Sequence, residues 1–217
     1  MRITKILPSL LCAALLAIVV CAPQQALAKK KVVDIYELSL DDNLETPAPE
    51  NERIAERIEE FQYEVAVTLK KQNLEVELMR DNQVIVVTYL ASQMFAPNDT
   101  VLTQVGKSAL APMLKFIKNP GMYKVLLVMH NDNTGSDEYT FGLSRSRVNA
   151  VFDWFDEEGS VDFVVPYALG ATDPIVDNNS IDNRKKNRRL EIYLVPEESL
   201  LALAKKGRID TKLLKTK

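Results

Sequence analysis

The sequence predicts an α+β sandwich, with helices laid on one face of a mixed β-sheet. Three observations carry that expectation. The apolar run Val125-Leu126-Leu127-Val128 reads as a buried strand. Toward the C-terminus Leu190, Ile192 and Leu194 alternate with Glu191 and Tyr193, a period of two that gives a last strand one buried face. Well before both, Ile54, Ile58, Phe61, Val65 and Leu69 step along the chain at intervals of four, three, four and four, which is one face of an α-helix.

Residues 1–28 stand outside this pattern. Arg2 and Lys5 make a positive start, Leu10 to Val20 a short apolar core, and Ala26-Leu27-Ala28 a small-residue cleavage site, so the segment reads as a secretory signal peptide. The apolar core is too short for a comfortable membrane span. Both cysteines, Cys12 and Cys21, lie within it, so the exported chain would have neither thiol nor disulfide in a compartment that permits disulfides. Lipidation at Cys21 is the open alternative; Val20 stands where a lipoprotein signal calls for a small residue. The formal net charge is −3, and without Arg2 and Lys5 the chain carries 25 basic against 30 acidic side chains, a net −5. That mild acidity supplies no basic surface for sequence-independent nucleic-acid binding. The remaining length suits one medium domain with extra elements.

The elements follow in order. Lys29 to Asn51 is mostly polar, and Pro47 and Pro49 suggest an extended linker. Asn51 can cap the helix that carries the Ile54 to Leu69 stripe, with Glu52 in its first turn. That stripe packs on the domain behind it or serves a partner. Leu74 to Met79 and Gln83 to Leu90 are β-rich runs around Arg80-Asp81-Asn82, a hairpin. Thr103 can cap the next helix, which sends Val105, Leu110, Met113, Leu114 and Ile117 to the core and should kink at Pro112. Asn119-Pro120-Gly121 stops it, and a strand runs on to about Met129. A helix from about Tyr139 to Phe155, a strand from Val161 to Leu169 and the final strand complete the sandwich. Pro196 to Lys217 reads as a short helix and a basic tail.

Between the buried strand and the following helix stands His130-Asn131-Asp132-Asn133-Thr134-Gly135, and within that helix Leu143-Ser144-Arg145-Ser146-Arg147. A strand, a tight loop and a helix can bring Asp132 and Arg147 together at one end of a sheet. An acid and a guanidinium so placed suit a small zwitterion: the carboxylate takes an ammonium, and the guanidinium takes a carboxylate in a two-pronged hydrogen bond. Asn131, Asn133, Thr134 and Gly135 form the loop wall. Such residues commonly make turns, and their backbone N–H groups can also face an anion near a helix start. Asp132 and Arg147 as a purely structural ion pair is the plainer rival.

These residues resemble the OmpA-like peptidoglycan-binding domain family, with its G-H-T-D-x-x-G, L-S-x-x-R-A and N-x-x-x-x-x-R-x-x-N-R-R-V-E blocks. The third block stands here as Asn178-Asn179-Ser180-Ile181-Asp182-Asn183-Arg184-Lys185-Lys186-Asn187-Arg188-Arg189-Leu190-Glu191, and the resemblance runs from about Val84 to Val195. It implies a two-layer sandwich, which the amphipathic helix read from periodicity precedes. It also implies that Asp132 and Arg147 hold the diaminopimelate residue of the peptidoglycan stem peptide. Asn98 and Asp99, after Phe95, match a family segment that lines the far side of the pocket, and Arg188 matches an arginine that braces the site loop. Met129, Asn131, Thr140, Val148 and Ala168-Leu169-Gly170 depart from the family pattern, and Met129 and Thr140 are expected to border the pocket.

Catalysis finds little footing. His130 is the only histidine and has no cysteine or histidine companion to share a metal. The spaced carboxylates of a calcium loop are missing. Ser144 could be drawn into a triad with His130 and Asp132, but no nucleophile-elbow glycines flank it. The basic run Arg184 to Arg189 reads as a solvated loop leading into an edge strand. The expected organisation is a signal peptide over 1–28, a linker and amphipathic helix over 29–73, the OmpA-like domain over 74–196 and a C-terminal tail over 197–217. The expected function is a noncatalytic periplasmic protein, associated with the outer membrane through a lipid or a partner. It would bind peptidoglycan without cofactor or metal, with an envelope protein possible as a second partner at the N-terminal helix. The alternative is a partner-binding module that kept the fold and lost the ligand.

Overall fold

The computed structural model describes residues 34–210 and Lys212. The signal-peptide and Cys21 readings, and most of the basic tail, fall outside those residues.

The described chain is built on a five-stranded sheet of order β1-β2-β5-β3-β4, formed by β1 (Glu75–Met79), β2 (Val84–Leu90), β3 (Tyr123–His130), β4 (Val164–Gly170) and β5 (Arg189–Pro196). β3 and β4 are parallel and every other pair is antiparallel, the mixed sheet that the strand pattern called for. β5 is the middle strand, not an edge, and neighbours on both sides leave little of it exposed. Alternation within one strand reports its two faces but not its place in the sheet.

The main core lies on one face. Val76, Ile85, Val87, Val125, Leu127, Ile192 and Leu194 project there from the strands. Above them lies α2 (Glu52–Lys70), capped by the Asn51 side chain, which accepts from Ile54 N at 3.1 Å. Its Ile54, Ile58, Phe61, Val65 and Leu69 are buried as their spacing requires. That stripe is therefore core of its own domain, and the partner-docking alternative loses this face. Gln62, on the same helix and fully buried, donates to Gln83 O and accepts from Tyr123 Oη, tying α2 to the sheet.

The hairpin turns through Arg80, Asp81 and Asn82, all left-handed with φ of 53°, 54° and 61°. A short helix α3 (Ala91–Met94) follows β2 directly and carried no periodic signal. Thr103 caps α4 (Gln104–Leu110), accepting from Gly106 N at 3.0 Å. At Pro112 the helix breaks into a 3-10 turn, Ala111–Met113, before α5 (Leu114–Ile117), the kink expected of a residue without a backbone donor. Val105 was expected in the core and is instead 72% exposed. A Cβ on Gly106 would come within 2.8 Å of Met94 Cα, so α4 turns Gly106 and Leu110 inward and Val105 out.

α6 (Asp137–Glu158) is capped by Ser136 and extends beyond its apolar stripe at both ends. The basic run is not a loop: Arg184, Lys185 and Lys186 lie in α7 (Ile181–Asn187), capped by Ser180 Oγ accepting from Asn183 N at 3.1 Å, Arg188 follows as its C-cap and Arg189 opens β5. α8 (Glu198–Lys205) closes the chain against α2 with Leu200, Leu201 and Ala204 buried.

The opposite face of the sheet is also partly covered. Leu126, Val128, Val165 and Val195 pack under Leu44, with Ile35 and Leu40 beside it. This corrects the extended linker: Leu40–Asn43 is a short helix, α1, and Asn43 Nδ2 donates to Ile35 O at 2.7 Å and to Tyr167 Oη at 2.6 Å. The apolar residues of this stretch were too few to show a period, but the half-bare sheet face gives them a surface to cover.

Candidate functional site

At the C-terminal end of β3 the chain leaves the sheet and enters α6 through the loop 131–136. Asn131 anchors this departure. Its N–H donates to Gly170 O at 2.6 Å, and its Nδ2 donates to Thr140 O at 2.7 Å and Ser144 Oγ at 3.1 Å. Its Oδ1 is buried without a partner among the described residues. Gly170 is left-handed, with φ 56°, and a Cβ there would sit 3.1 Å from Phe141 N, so glycine lets strand β4 close on α6 without strain.

Asp132 follows, with its side chain almost wholly buried. Thr134 N donates to its Oδ1 at 2.9 Å, and Arg188 Nη1 donates to its Oδ2. Burial pushes the Asp132 carboxyl up, but the Thr134 hydrogen bonds and the Arg188 guanidinium outweigh it and hold the carboxyl below its ordinary value. The acid is thus ionised and oriented before any ligand arrives.

Arg147 projects from α6 and is 4% exposed. Its Nε donates to Asp99 O at 2.8 Å and its Nη2 to Ala96 O at 3.5 Å, and the guanidinium lies 5.2 Å from the centroid of the Phe95 ring. Burial lowers its pKa from the ordinary arginine value, a shift that leaves a guanidinium charged at any neutral pH. Asp132 and Arg147 line one cavity of about 570 Å³, within the range of small-ligand sites. Neither is the other's partner among the described residues: Arg188 holds the acid and backbone carbonyls hold the base. They are opposed charges across a space, which is the arrangement a zwitterion needs.

Of the other expected residues, Asn131, Thr134, Asn98 and Arg188 line this cavity. Asn133 is exposed and does not line it, because the Asp132–Thr134 hydrogen bond turns the loop between its two neighbours. Asp99 does not line it either. Its carbonyl receives Arg147, while its carboxylate accepts from Thr100 N at 2.7 Å and Val101 N at 3.1 Å. Met129 is fully buried in the core below the cavity and does not border it, whereas Thr140 does line it. Tyr139 and Leu143 also contribute to the wall and were not singled out by sequence. Their positions one turn apart, on the same side of α6 as Arg147, were the available signal.

The triad does not assemble. Ser144 is bound to Asn131, while His130 lies with Glu191, its Nε2 3.2 Å from Glu191 Oε2. The basic run divides. Arg188 reaches Asp132, while Arg189 is buried and paired to Glu191 at 2.7 Å and to Asp173 at 3.5 Å. Asn187, invisible to periodicity, is fully buried and holds the preceding loop: its Oδ1 accepts from Ile175 N and Val176 N, and its Nδ2 donates to Val176 O and Asn178 Oδ1.

Fold and site together define a two-layer α+β domain with an acid and a base facing one cavity at the end of its sheet. Residues 94–188 match the family model of the OmpA family. Among curated relatives, the peptidoglycan-binding protein ArfA of Mycobacterium tuberculosis is 36% identical over 72 residues, covering 33% of this chain and 22% of that protein. The chain spans from 22% to 64% of the length of the first curated relatives it matches. A protein described as MotB-like from Desulfovibrio vulgaris shares the fold, with a TM-score of 0.59 and 21% identity over 67% of this chain and 98% of that one. The cell wall anchor of the T6SS from Pseudomonas aeruginosa superposes with a TM-score of 0.52 at 25% identity, over 67% of this chain and all of that one.

Proposed function

We propose that this chain is a noncatalytic protein of the cell envelope that binds peptidoglycan and tethers to the cell wall. In this reading it is exported to the periplasm, with the outer membrane as the structure it connects. Asp132 accepts hydrogen bonds from the ammonium of the diaminopimelate residue, and Arg147 donates to that residue's carboxylate. The observation that carries the reading is the placement of two buried, oppositely charged groups in the wall of one cavity, each oriented by the protein and neither neutralising the other directly. A structural ion pair would have closed on itself. ArfA, by its name a peptidoglycan-binding protein, and the T6SS cell wall anchor support the same assignment. Asn98 and Thr134 add polar residues to the same wall.

A second reading has its own observation. Arg188 already bonds Asp132, so a ligand ammonium must share or displace that contact. A chain that kept the fold as a structural module, and lost the ligand, would look the same at this point. Sedimentation with purified diaminopimelate-type peptidoglycan separates the two. The parent should pellet with the polymer and a folded Asp132→Ala/Arg147→Ala variant should stay in solution. Equal pelleting of parent and variant, or a folded parent that stays in solution, would reject the site.

A further inference from the structure

The cavity wall carries a charge that the function above does not use. Among the described residues, Asp132, Arg147 and Arg188 are the charged members of its lining. One carboxylate against two guanidinia leaves a positive charge in excess. Asp99 does not correct the balance: it lies outside the lining, and its carboxylate accepts from Thr100 N and Val101 N. Besides burial, the charge of Arg188 lowers the Arg147 pKa, so the two guanidinia are near enough to repel each other.

Fixed backbone delivers Arg188 to the cavity. Its N–H donates to Arg184 O at 3.1 Å at the close of α7, and its carbonyl accepts from Ala91 N of α3 at 2.8 Å. Its side chain is 35% exposed, against 5% for that of Asp132, so a ligand can reach it. Nη1 donates to Asp132 Oδ2, while Nε and Nη2 have no hydrogen-bond partner among the described residues. A guanidinium has more N–H donors than that one bond uses, and the rest are left to water. Arg147 differs, because backbone carbonyls already engage its Nε and Nη2.

A zwitterion alone does not satisfy this wall. Its carboxylate goes to Arg147, and its ammonium joins Arg188 on Asp132, which sets two cations on one carboxylate. A ligand that fills the cavity also takes water from the remaining Arg188 donors. A neutral group there leaves a charge desolvated and unpaired, whereas a carboxylate pairs it in a charge-assisted bond. We propose that Arg188 is a specificity-determining residue that takes a second carboxylate of the ligand, so that the site selects an ammonium accompanied by two carboxylates over a zwitterion alone. The inference rests on the stem-peptide reading and narrows it. In such a peptide the second carboxylate is the free α-carboxylate of the D-glutamate before diaminopimelate, or the carboxyl terminus after it.

The test is calorimetric titration of the full chain with the tetrapeptide L-Ala-γ-D-Glu-meso-diaminopimelyl-D-Ala and two derivatives. One derivative is amidated at the D-glutamate α-carboxyl and the other at the C-terminus. Both keep the ammonium and carboxylate of the diaminopimelate. At least one should bind the parent about tenfold more weakly than the free tetrapeptide, the loss of one hydrogen bond between charged groups at a partly exposed position. That derivative identifies the carboxylate. Arg188→Ala also loosens Asp132, so the readout is the ratio between peptides and not the affinity: the free and amidated peptides should then bind equally. Arg188→Lys, which keeps the charge, should restore part of the preference. Equal binding of all three peptides by the parent would mean that Arg188 shares the zwitterion's own carboxylate or takes none. That outcome would overturn the second-carboxylate assignment and leave the stem-peptide reading in place. A preference that persists in Arg188→Ala would overturn it as well. A folded parent that binds none of the peptides would reject both.

Discussion

Arg188 and Arg189 are consecutive and chemically identical, and they meet different neighbours. Arg188 caps α7, is about one-third exposed, and reaches the Asp132 carboxylate at the edge of the charged cavity. Arg189 opens β5 and is 1% exposed, surrounded by Glu191, Asp173 and the Asn187 carbonyl. Glu191 in turn accepts from Tyr193 Oη at 2.5 Å and faces His130 at 3.2 Å. The difference teaches that burial, not residue type, divides labour here. A buried guanidinium with every neighbour polar holds the strand in place. A partly exposed one beside a cavity remains free to exchange its partner for a ligand.

The comparison breaks most directly at Arg189. Arg189→Ala would strand the Glu191 carboxylate inside the protein, and removing one member of a buried pair costs about 3–5 kcal/mol. Urea unfolding should show that loss, with peptidoglycan binding per folded molecule unchanged. A variant as stable as the parent would mean that the cluster is not structural.

Next in size is the acid limit of stability. Burial pushes the Glu191 carboxyl up, but His130, Tyr193 and Arg189 outweigh burial and bring it down to about 2. A carboxyl depressed in the fold stabilises it above the unfolded value of about 4.3 and loses that contribution as pH falls toward and through about 2. The amount at stake is roughly 3 kcal/mol. Urea midpoints measured between pH 5 and pH 2 should therefore fall more steeply for the parent than for Glu191→Gln. Parallel curves would remove Glu191 from the account.

The smallest effect is expected at Arg188, whose exposure screens its charge. Arg188→Ala should cost at most about 1 kcal/mol of stability. Because Arg188 helps hold the Asp132 carboxyl low, its removal should raise the Asp132 titration midpoint, read from the side-chain carboxyl carbon by NMR. An unmoved midpoint would take Arg188 out of the site and sharpen the division between the two arginines.

Local order was legible in the residues alone wherever a period ran long enough. The α2 stripe, the hairpin, the apolar β3 run and the Pro112 break each rest on neighbours within one or two turns of chain, so propensity and spacing determined them. The Asp132 and Arg147 positions were legible too, because motif spacing tied them to a loop and a helix face. Tertiary structure decided the rest. It placed β5 between β2 and β3, buried Arg189, exposed Val105, folded the polar stretch after residue 34 onto the sheet, and gave Asp132 to Arg188 instead of Arg147. Each of these depends on which surfaces meet across tens of residues. A local pattern says which face of an element is apolar but not what will cover it, and the partner that arrives decides whether a charge becomes part of the core or part of a site.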